Sequence, residues 1–325
     1  MKKVLKKWLL TGAFCTVAGA VVFAGSLSFL KFDFRKLSTE KYREKTYTVT
    51  EDFTDIAIIG TTAQIKFCFS ENGDCTVFCS EKERLNYSVT AEDGVLKIKE
   101  NDTRNTRNWF DHIAVSFGQR TLTVNLPKKE YGTLSVQTDT GDLKIPNDFS
   151  FRAVKVSGDT SDVDCLASAK EEINIRTSTG DIRLSDLSCQ TVKIKTDTGN
   201  AVLGNVRAAD SFAVETDTGD VRFQNSDAAS IKIKTDTGNT VFKNVRAANS
   251  FAVKTDAGDV RFQNSDAASI TVETDTGDVT GTLLSDKVFL TETDTGNVDV
   301  PKTVAGGTCQ ITTDTGDIKI SIARP

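Results

Sequence analysis

From residue 131 to the C-terminus, hydrophobic and polar positions alternate on both sides of a recurrent turn. The turn reads Thr-Asp-Thr-Gly-Asp or a close variant, and successive copies lie 19 or 20 residues apart. A spacing this regular is typical of a repeat architecture. The glycine position of the turn falls at Gly141, Ser161, Gly180, Gly199, Gly219, Gly238, Gly258, Gly277, Gly296 and Gly316.

Counted from that glycine position, positions −7, −5, +2 and +4 are apolar in most copies, from Leu134 and Val136 to Ile318 and Ile320. Period-two alternation on both sides of a turn predicts two short strands per repeat, each with one face inward. Position +7 adds a third inward corner at Leu187, Val206, Val245 and Leu284. A single strand pair cannot bury its inner face, but stacked repeats can. We therefore predict an all-β fold, a parallel β-helix-like solenoid of about ten coils over residues 131–325 and roughly 50 Å long.

Residues 46–130 also alternate as strands and are expected to form the first coils and a β-rich cap, because a terminal repeat needs a polar free face. Residues 60–64 resemble a worn copy of the repeat turn. Asn72-Gly73 predicts a tight hairpin that pairs Cys68 with Val77. Residues 101–111 are a polar loop whose Trp109 and Phe110 either fold back onto the cap or contact a membrane or partner.

Seven cysteines are spread irregularly along the chain. In the predicted hairpin, Cys75 and Cys79 lie diagonal to Cys68, at the edge of disulfide reach. One bridge after a register change and three free thiols both remain open. A metal centre of cysteine and histidine is disfavoured, because the only histidine is His112 and no Cys-x-x-Cys occurs.

The N-terminus has a different composition. Residues 8–30 carry no charge and are long enough to cross a bilayer as a helix. Four lysines precede them, which predicts a cytoplasmic tip and an exported remainder. A cleaved signal peptide is the alternative. The expected organisation is a cytoplasmic tip and single-pass anchor at 1–30, a linker at 31–45, the cap at 46–130 and the solenoid outside the cytoplasm.

The charge balance limits the classes of partner that the chain is expected to bind. Residues 1–36 carry seven Lys or Arg and one Asp, so the rest of the chain has a net charge of −11. An acidic exported domain is a poor candidate for binding nucleic acid and fits divalent cations or basic partners. We find no nucleophile elbow, phosphate-binding loop or zinc signature, and the carboxylates recur equally in every coil, so an enzyme is not expected.

The acidic position at −2 of the turn predicts a column of carboxylates along one edge of the solenoid. Such a column either binds a stripe of Ca²⁺ ions or has each carboxylate held by turn amides and nearby Lys or Arg. The candidate metal-binding residues are Asp139, Asp197, Asp217, Asp236, Asp256, Asp275, Asp294 and Asp314, with Asp159 at the same position in the second copy.

Residues 196–234 and 235–273 are near copies of each other. A tandem duplication of two coils implies an adjustable length, which favours a spacer or binding surface over a fixed catalytic cleft. At the C-terminus, the last predicted strand, residues 318–322, is followed only by Ala323, Arg324 and Pro325. An open edge on this last coil predicts self-association.

The lysine-flanked apolar segment, the linker Phe32-Asp-Phe-Arg-Lys-Leu-Ser-Thr39, Leu126-Pro-Lys128 and the Thr-Asp-Thr-Gly-Asp coils together resemble a bacterial envelope family. It is the "putative adhesin" domain of unknown function, similar to toast-rack domains. The resemblance implies tandem β-strand repeats and a membrane-anchored binding module for an unidentified protein or glycan. An envelope-stress scaffold or sensor that acts with other membrane proteins is the alternative, and a polysaccharide-active enzyme is the least favoured interpretation. The family supplies no catalytic or ligand residues.

Overall fold

The computed structural model describes residues 42–82, 85–103 and 120–323, and the single helical positions Thr16, Gly19, Val21 and Gly25. The predicted anchor at 8–30 otherwise lies outside the described residues, as do Trp109, Phe110 and His112. Within the described residues, no helix is long and apolar enough to cross a membrane.

The described chain is all β. Its strands are β1 (Arg43–Val49), β2 (Asp55–Thr61), β3 (Gln64–Phe69), β4 (Cys75–Glu81), β5 (Leu85–Glu92), β6 (Val95–Asp102), β7 (Thr121–Leu126), β8 (Glu130–Thr138), β9 (Leu143–Ile145), β10 (Ser150–Thr160), β11 (Val163–Cys165), β12 (Ser168–Thr179), β13 (Ile182–Ser185), β14 (Ser188–Thr198), β15 (Ala201–Gly204), β16 (Arg207–Thr218), β17 (Val221–Gln224), β18 (Asp227–Thr237), β19 (Thr240–Lys243), β20 (Arg246–Ala257), β21 (Val260–Thr276), β22 (Val279–Leu283), β23 (Lys287–Thr295), β24 (Val298–Asp299), β25 (Gly307–Thr315) and β26 (Ile318–Ile322).

These strands build the predicted β-solenoid. From β8 onward each coil has one long strand, the glycine turn and one short strand, and equivalent strands of successive coils pair in parallel. We call the two resulting layers the long-strand sheet (β8, β10 and their equivalents) and the short-strand sheet (β9, β11 and their equivalents). β21 begins in the short-strand sheet, continues without a break past Asn264 and ends in the long-strand sheet, so it belongs to both.

A second corner closes each coil. Position +6 after the glycine adopts a left-handed backbone with φ of 50–55°, which asparagine and aspartate tolerate better than other side chains. The residues there are Asp186, Asn205, Asn225, Asn244 and Asn264. Their side chains bond from coil to coil, as where the Asn225 amide donates to Asn205 Oδ1 at 3.1 Å. This ladder fixes the corner that the apolar +7 positions predicted, with Leu187, Val206 and Val245 buried beside it.

The core is continuous along the solenoid. The predicted inward positions −7 and −5 are buried in every copy from Leu134 to Val272. In the short-strand sheet, Phe223, Phe242 and Phe262 stand in register and stack with ring centroids 5.7 and 5.2 Å apart. Each coil thus supplies the apolar contact that its neighbour lacks.

One core position offers a stability test. Thr240 lies between Val221 and Val260 in the short-strand sheet, and its fully buried Oγ1 has no hydrogen-bond partner. We expect Thr240→Val to raise the free energy of unfolding by about 1 kcal/mol, because it removes an unsatisfied buried hydroxyl. The control is Thr216→Val, which removes the bond from Thr216 Oγ1 to the Gly199 carbonyl (3.2 Å) and should lower stability by about 1 kcal/mol in denaturant titrations. A loss of stability in both variants would contradict the assignment.

Coils at both ends are stacked out of sequence order. At the C-terminal end, β25 lies between β21 and β23, and β26 lies between β22 and β24. The prediction that residues 318–322 leave an open edge is therefore wrong for Ile318 and Lys319, which β24 covers on the outer side, whereas β24 does not extend over Ile320–Ile322. Within the described residues the outermost strands are β23 and β24, which explains why Val298 of the predicted core is 45% exposed. Arg324 and Pro325 lie outside the described residues.

The N-terminal end has a matching inversion. β2 lies between β6 and β8, and β3 lies between β7 and β9. The 60–64 turn is a coil turn, since Thr61 pairs with Thr138. β4, β5 and β1 then close this end in antiparallel pairing. β1 begins at Arg43, inside the predicted linker.

The Asn72-Gly73 hairpin was predicted wrongly. Residues 71–73 do turn, but β7 lies between β3 and β4, so Cys68 and Thr76 both face Asn125 instead of each other. Cys68, Cys75 and Cys79 are free thiols. Burial raises the pKa of Cys75 to about 11 and that of Cys79 to about 12, which leaves the exposed Cys68 as the accessible thiol of the three.

Candidate functional site

The predicted candidate residues lie on the outer face of the long-strand sheet. We call them the aspartate column: Asp139, Asp159, Asp197, Asp217, Asp236, Asp256, Asp275, Asp314 and Asp294, in their spatial order. The parallel register places one in almost every coil, about 4.8 Å from the next. All of them are exposed except Asp236, which is half-buried and pairs with Lys234 at 3.5 Å.

Metal binding by this column stays a prediction. Within the described residues, no group of three or more His, Cys, Asp or Glu side chains is arranged to hold a metal ion. Calorimetric titration of the full-length chain with Ca²⁺ tests the column directly. Saturable heat and a rise in melting temperature would support a cation stripe, and their absence at millimolar ion would exclude it.

The turn amides are held by the +1 residue rather than by the −2 aspartate. Each +1 side chain accepts a hydrogen bond from the backbone N–H of the +1 residue in the next coil. The bonds measure 2.8–3.2 Å and run without a gap through Asp142, Asp162, Asp181, Asn200, Asp220, Asn239, Asp259, Asp278, Asp317 and Asn297. We call this series the turn ladder. It joins all the coils from Asp142 onward, including the two C-terminal coils that are stacked out of order.

Electrostatics at the turn ladder give a testable pH dependence. The backbone N–H of Asn200, with further help from its side-chain amide and from Arg183, lowers the pKa of Asp181 below its ordinary value of 3.8, although burial opposes the shift. The folded state therefore favours the ionised carboxylate. Its contribution to stability is complete above pH 3.8 and is lost as the pH falls through the lower folded pKa.

We expect Asp181→Asn to make unfolding less sensitive to acid below pH 3.8 while leaving the fold intact at neutral pH. Asparagine already serves in the ladder, where Asn200 Oδ1 accepts from the Asp220 N–H at 2.9 Å. Melting temperatures of both proteins across an acid titration measure the effect. An unchanged acid slope would contradict a role for the Asp181 charge.

Beside the aspartate column, the long-strand sheet carries mainly paired charges. Lys195 bonds Glu215 at 2.9 Å and Lys254 bonds Glu273 at 3.2 Å, each across neighbouring coils. All four side chains are more than 40% exposed, so these pairs contribute little to stability. The lateral face is therefore a regular, charge-balanced surface with one acidic edge.

Sequence reasoning missed a buried polar cluster in the N-terminal cap. Arg120 donates to Glu100 Oε1 at 3.1 Å, and their side chains are 7% and 5% exposed. Glu100 Oε2 also accepts from the Tyr87 hydroxyl (2.8 Å) and from Thr61 Oγ1 (3.1 Å). Both carboxylate oxygens are thus occupied, and burial raises the pKa of Tyr87 well above its usual range. The cluster holds β2, β5 and β6 together, although Arg120 Nε is buried in it without a hydrogen-bond partner among the described residues.

The C-terminal end differs from the regular lateral face. Three apolar side chains are exposed in and after the outermost coil: Leu290 at 56%, Val298 at 45% and Val304 at 95%. An outermost strand also presents backbone groups without a partner on its free side. This surface, which we call the open end and define as residues 287–304, can pair with another strand.

Comparison with known proteins identifies the family of the chain. The Toastrack DUF4097 family matches residues 53–211 and 207–324. No curated protein matches the chain.

Several solved structures are similar. A "putative adhesin" from Parabacteroides merdae ATCC 43184 is 14% identical over 74% of this chain and 96% of its own, with a TM-score of 0.50. A "putative adhesin" from Parabacteroides distasonis ATCC 8503 is 14% identical over 76% and 98%, with a TM-score of 0.48. A "putative lipid binding protein" from the same organism is 17% identical over 74% and 96%, with a TM-score of 0.48.

At these identities the structural likeness concerns the fold. The family match covers nearly all of the described solenoid, from β2 to β26, and agrees with its repeat pattern. The chain belongs to the Toastrack DUF4097 family.

Proposed function

We propose that the chain is a non-enzymatic binding module of the bacterial surface, anchored by residues 8–30 with its solenoid outside the cytoplasm. The observation that carries this proposal is the contrast between the two ends. Antiparallel strands close the N-terminal end, whereas the open end, at the opposite end of the solenoid from β1, exposes apolar side chains and a free strand edge. The name of the P. merdae protein agrees with a binding role.

The topology can be tested with Cys68. It is exposed, while the five other described cysteines are buried. On intact cells that express the full chain, a membrane-impermeant maleimide should label Cys68, and Cys68→Ser should abolish the labelling. Labelling that appears only after permeabilisation would contradict an extracytoplasmic solenoid.

Binding can be tested separately from topology. Cells with the full chain should adhere to one or more immobilised cell-wall or host materials better than cells without it. Failure across a broad panel would contradict the binding role. Recovery of other membrane proteins by crosslinking, together with such a failure, would favour the envelope-stress scaffold.

The ligand of the open end is proposed to be a second copy of the chain. In an antiparallel pairing of two β23 strands centred on Thr291, Glu292 faces Leu290 and Asp294 faces Val288 of the other copy, so no like charges stand directly opposite. We expect the full-length chain to dimerise in light scattering and Leu290→Lys to weaken the dimer. Gln310→Lys, one coil further in, is the control. A monomer at high concentration would contradict the pairing.

A further inference from the structure

A cavity of about 880 Å³ opens on the outer face of the short-strand sheet near the C-terminal end. Its floor is formed by β21, β22 and β26, and residues 299–303 form one wall. We call it the terminal cavity. It occurs where the chain leaves the regular repeat to build the inverted coils, and its volume is that of a small-molecule site.

Four exposed charged side chains that have no ion-pair partner among the described residues line the terminal cavity. Arg183 and Arg222 occupy equivalent places earlier in the short-strand sheet, and each pairs with the aspartate two residues before it, at 2.6 and 2.5 Å. Arg261 follows Asp259 in the same way, yet within the described residues it makes no ion pair or hydrogen bond and lines the cavity instead. The repeat thus provides a partner for the arginine, and at this coil the arginine does not use it.

Three further charges line the same space. Lys319 stands two strands from Arg261 in the register, with Thr280 between them, and Asp299 stands next to Lys319. Asp286 lies at the rim. Among the described residues, neither Lys319 nor either aspartate has an ion-pair partner within 4.0 Å. The cavity therefore combines two unpaired cations with two unpaired anions.

The wall of the cavity is held in place. Thr303 Oγ1 donates a hydrogen bond to the Lys287 carbonyl. The Lys287 side chain is 2% exposed and its Nζ lies 2.7 Å from Asp266 Oδ1. The wall is therefore tied to the last regular coil, and a ligand would meet a preformed site at little ordering cost.

The floor is shaped by a glycine. Gly281 has φ of 145°, and a Cβ there would lie 2.0 Å from the Phe262 carbonyl oxygen. No side chain can therefore stand at this point of the floor. Glycine at this position therefore lets β21 and β22 approach closely and also leaves the floor of the cavity open.

We propose that the terminal cavity binds a short zwitterionic peptide, with its carboxylate at Arg261 and Lys319 and its ammonium group at Asp286 and Asp299. The cations lie about 10 Å apart across Thr280, so one carboxylate can contact both long side chains. Gln263 and Thr280 line the cavity and offer hydrogen bonds to peptide groups. The two aspartates disfavour a polyanion. A sugar is disfavoured because the aromatic ring of the lining, Phe262, is only 1% exposed and gives no stacking surface.

Titration calorimetry of the full-length chain with trialanine tests this site, whether or not the chain acts at a cell surface. We expect saturable binding in the millimolar range or tighter. Amidation of the peptide C-terminus and acetylation of its N-terminus should each weaken binding about tenfold, because each removes a charge-assisted contact. Arg261→Gln should abolish the preference for a free carboxylate, and Asp299→Asn the preference for a free amine.

The tandem duplication supplies the matched control. Arg222→Gln changes the same position 39 residues earlier, outside the cavity, and should leave trialanine binding unchanged. Equal weakening by Arg222→Gln, equal affinity for the capped peptides, or no saturable binding up to about 10 mM would each overturn the proposal. Loss of surface adhesion with intact trialanine binding would leave this site standing and refute only the proposed function.

Discussion

Gly219→Ala should be among the most destabilising single substitutions in the solenoid. Gly219 has φ of 153°, and an added Cβ would lie 2.0 Å from the carbonyl oxygen of Gly199 in the neighbouring coil. That oxygen belongs to the backbone and also accepts the Thr216 hydroxyl, so it cannot move away alone. Backbone strain and overpacking combine, and we expect a loss of at least about 4 kcal/mol in the free energy of unfolding.

Gly204→Ala is the matched control for this substitution. It lies at the end of β15, in the coil next to Gly219, where an added Cβ would meet only Ser185 Oγ at 3.9 Å. Denaturant titrations of the two variants and the parent should separate them by several kcal/mol. A Gly219→Ala protein as stable as Gly204→Ala would mean that the coils can slide apart at the turn.

Gly219→Ala also tests whether the coils of the solenoid unfold cooperatively. In a linear array each coil contacts only its neighbours, so damage at one interface can divide the array into two blocks. Gly219 directly precedes Asp220 of the turn ladder and, two residues on, the core residue Val221. We therefore expect Gly219→Ala to broaden the unfolding transition or split it, with residues 120–218 and 220–323 exchanging amide hydrogens at different rates.

The repeat coils could be predicted from sequence because their information is local. Glycine at a fixed interval, with apolar residues two and four places after it, identifies the turn, the inward faces and the position of the aspartate column. The corner asparagines Asn205, Asn225, Asn244 and Asn264 recur at the same interval and could have been found by the same count. Their left-handed φ is a conformation that asparagine is enriched in.

The order of stacking could not be predicted in this way. Residues 298–300 and 318–320 carry the same apolar pattern, so nothing local tells which coil is inner and which is outermost. The error at Asn72-Gly73 has the same origin. A turn signal specifies that the chain reverses, but the strand that pairs beside β3 is β7, which arrives about fifty residues later along the chain.

The chemistry outside the repeat was the least predictable. Glu100 in β6 and Arg120 just before β7 are twenty residues apart, and they meet where β6 pairs with β2 and β7 pairs with β3. The turn amides were considered as partners of the −2 aspartates, whereas the +1 side chains accept these hydrogen bonds, and they do so between coils. Arg261 looks like Arg222 in sequence, and the sequence does not reveal that Arg261 leaves Asp259 unpaired and lines the terminal cavity.

Lys287→Ala should cost about 3 kcal/mol, because it leaves the half-buried Asp266 carboxylate without its counter-ion. Lys287 is the first residue of β23, the strand that β25 separates from β21. Its Nζ lies 2.7 Å from Asp266 Oδ1, and the two side chains are 2% and 16% exposed. It also bonds Ser285 Oγ. The pair thus fastens the outermost coil to the last regular one, and its loss should release β23 and β24 first.

Two variants make this prediction specific. Lys287→Met combined with Asp266→Asn removes both charges, keeps the amide acceptor for the Ala267 N–H, and should recover most of the lost stability. Lys254→Ala breaks the pair with Glu273, which is similar in length at 3.2 Å but more than half exposed on both sides, and should cost less than about 1 kcal/mol. Denaturant titration and amide exchange of residues 287–299 measure both effects. If Lys254→Ala and Lys287→Ala proved equally mild, burial would not be what makes the Lys287 pair important, and the inverted end would have to be held by the turn ladder alone.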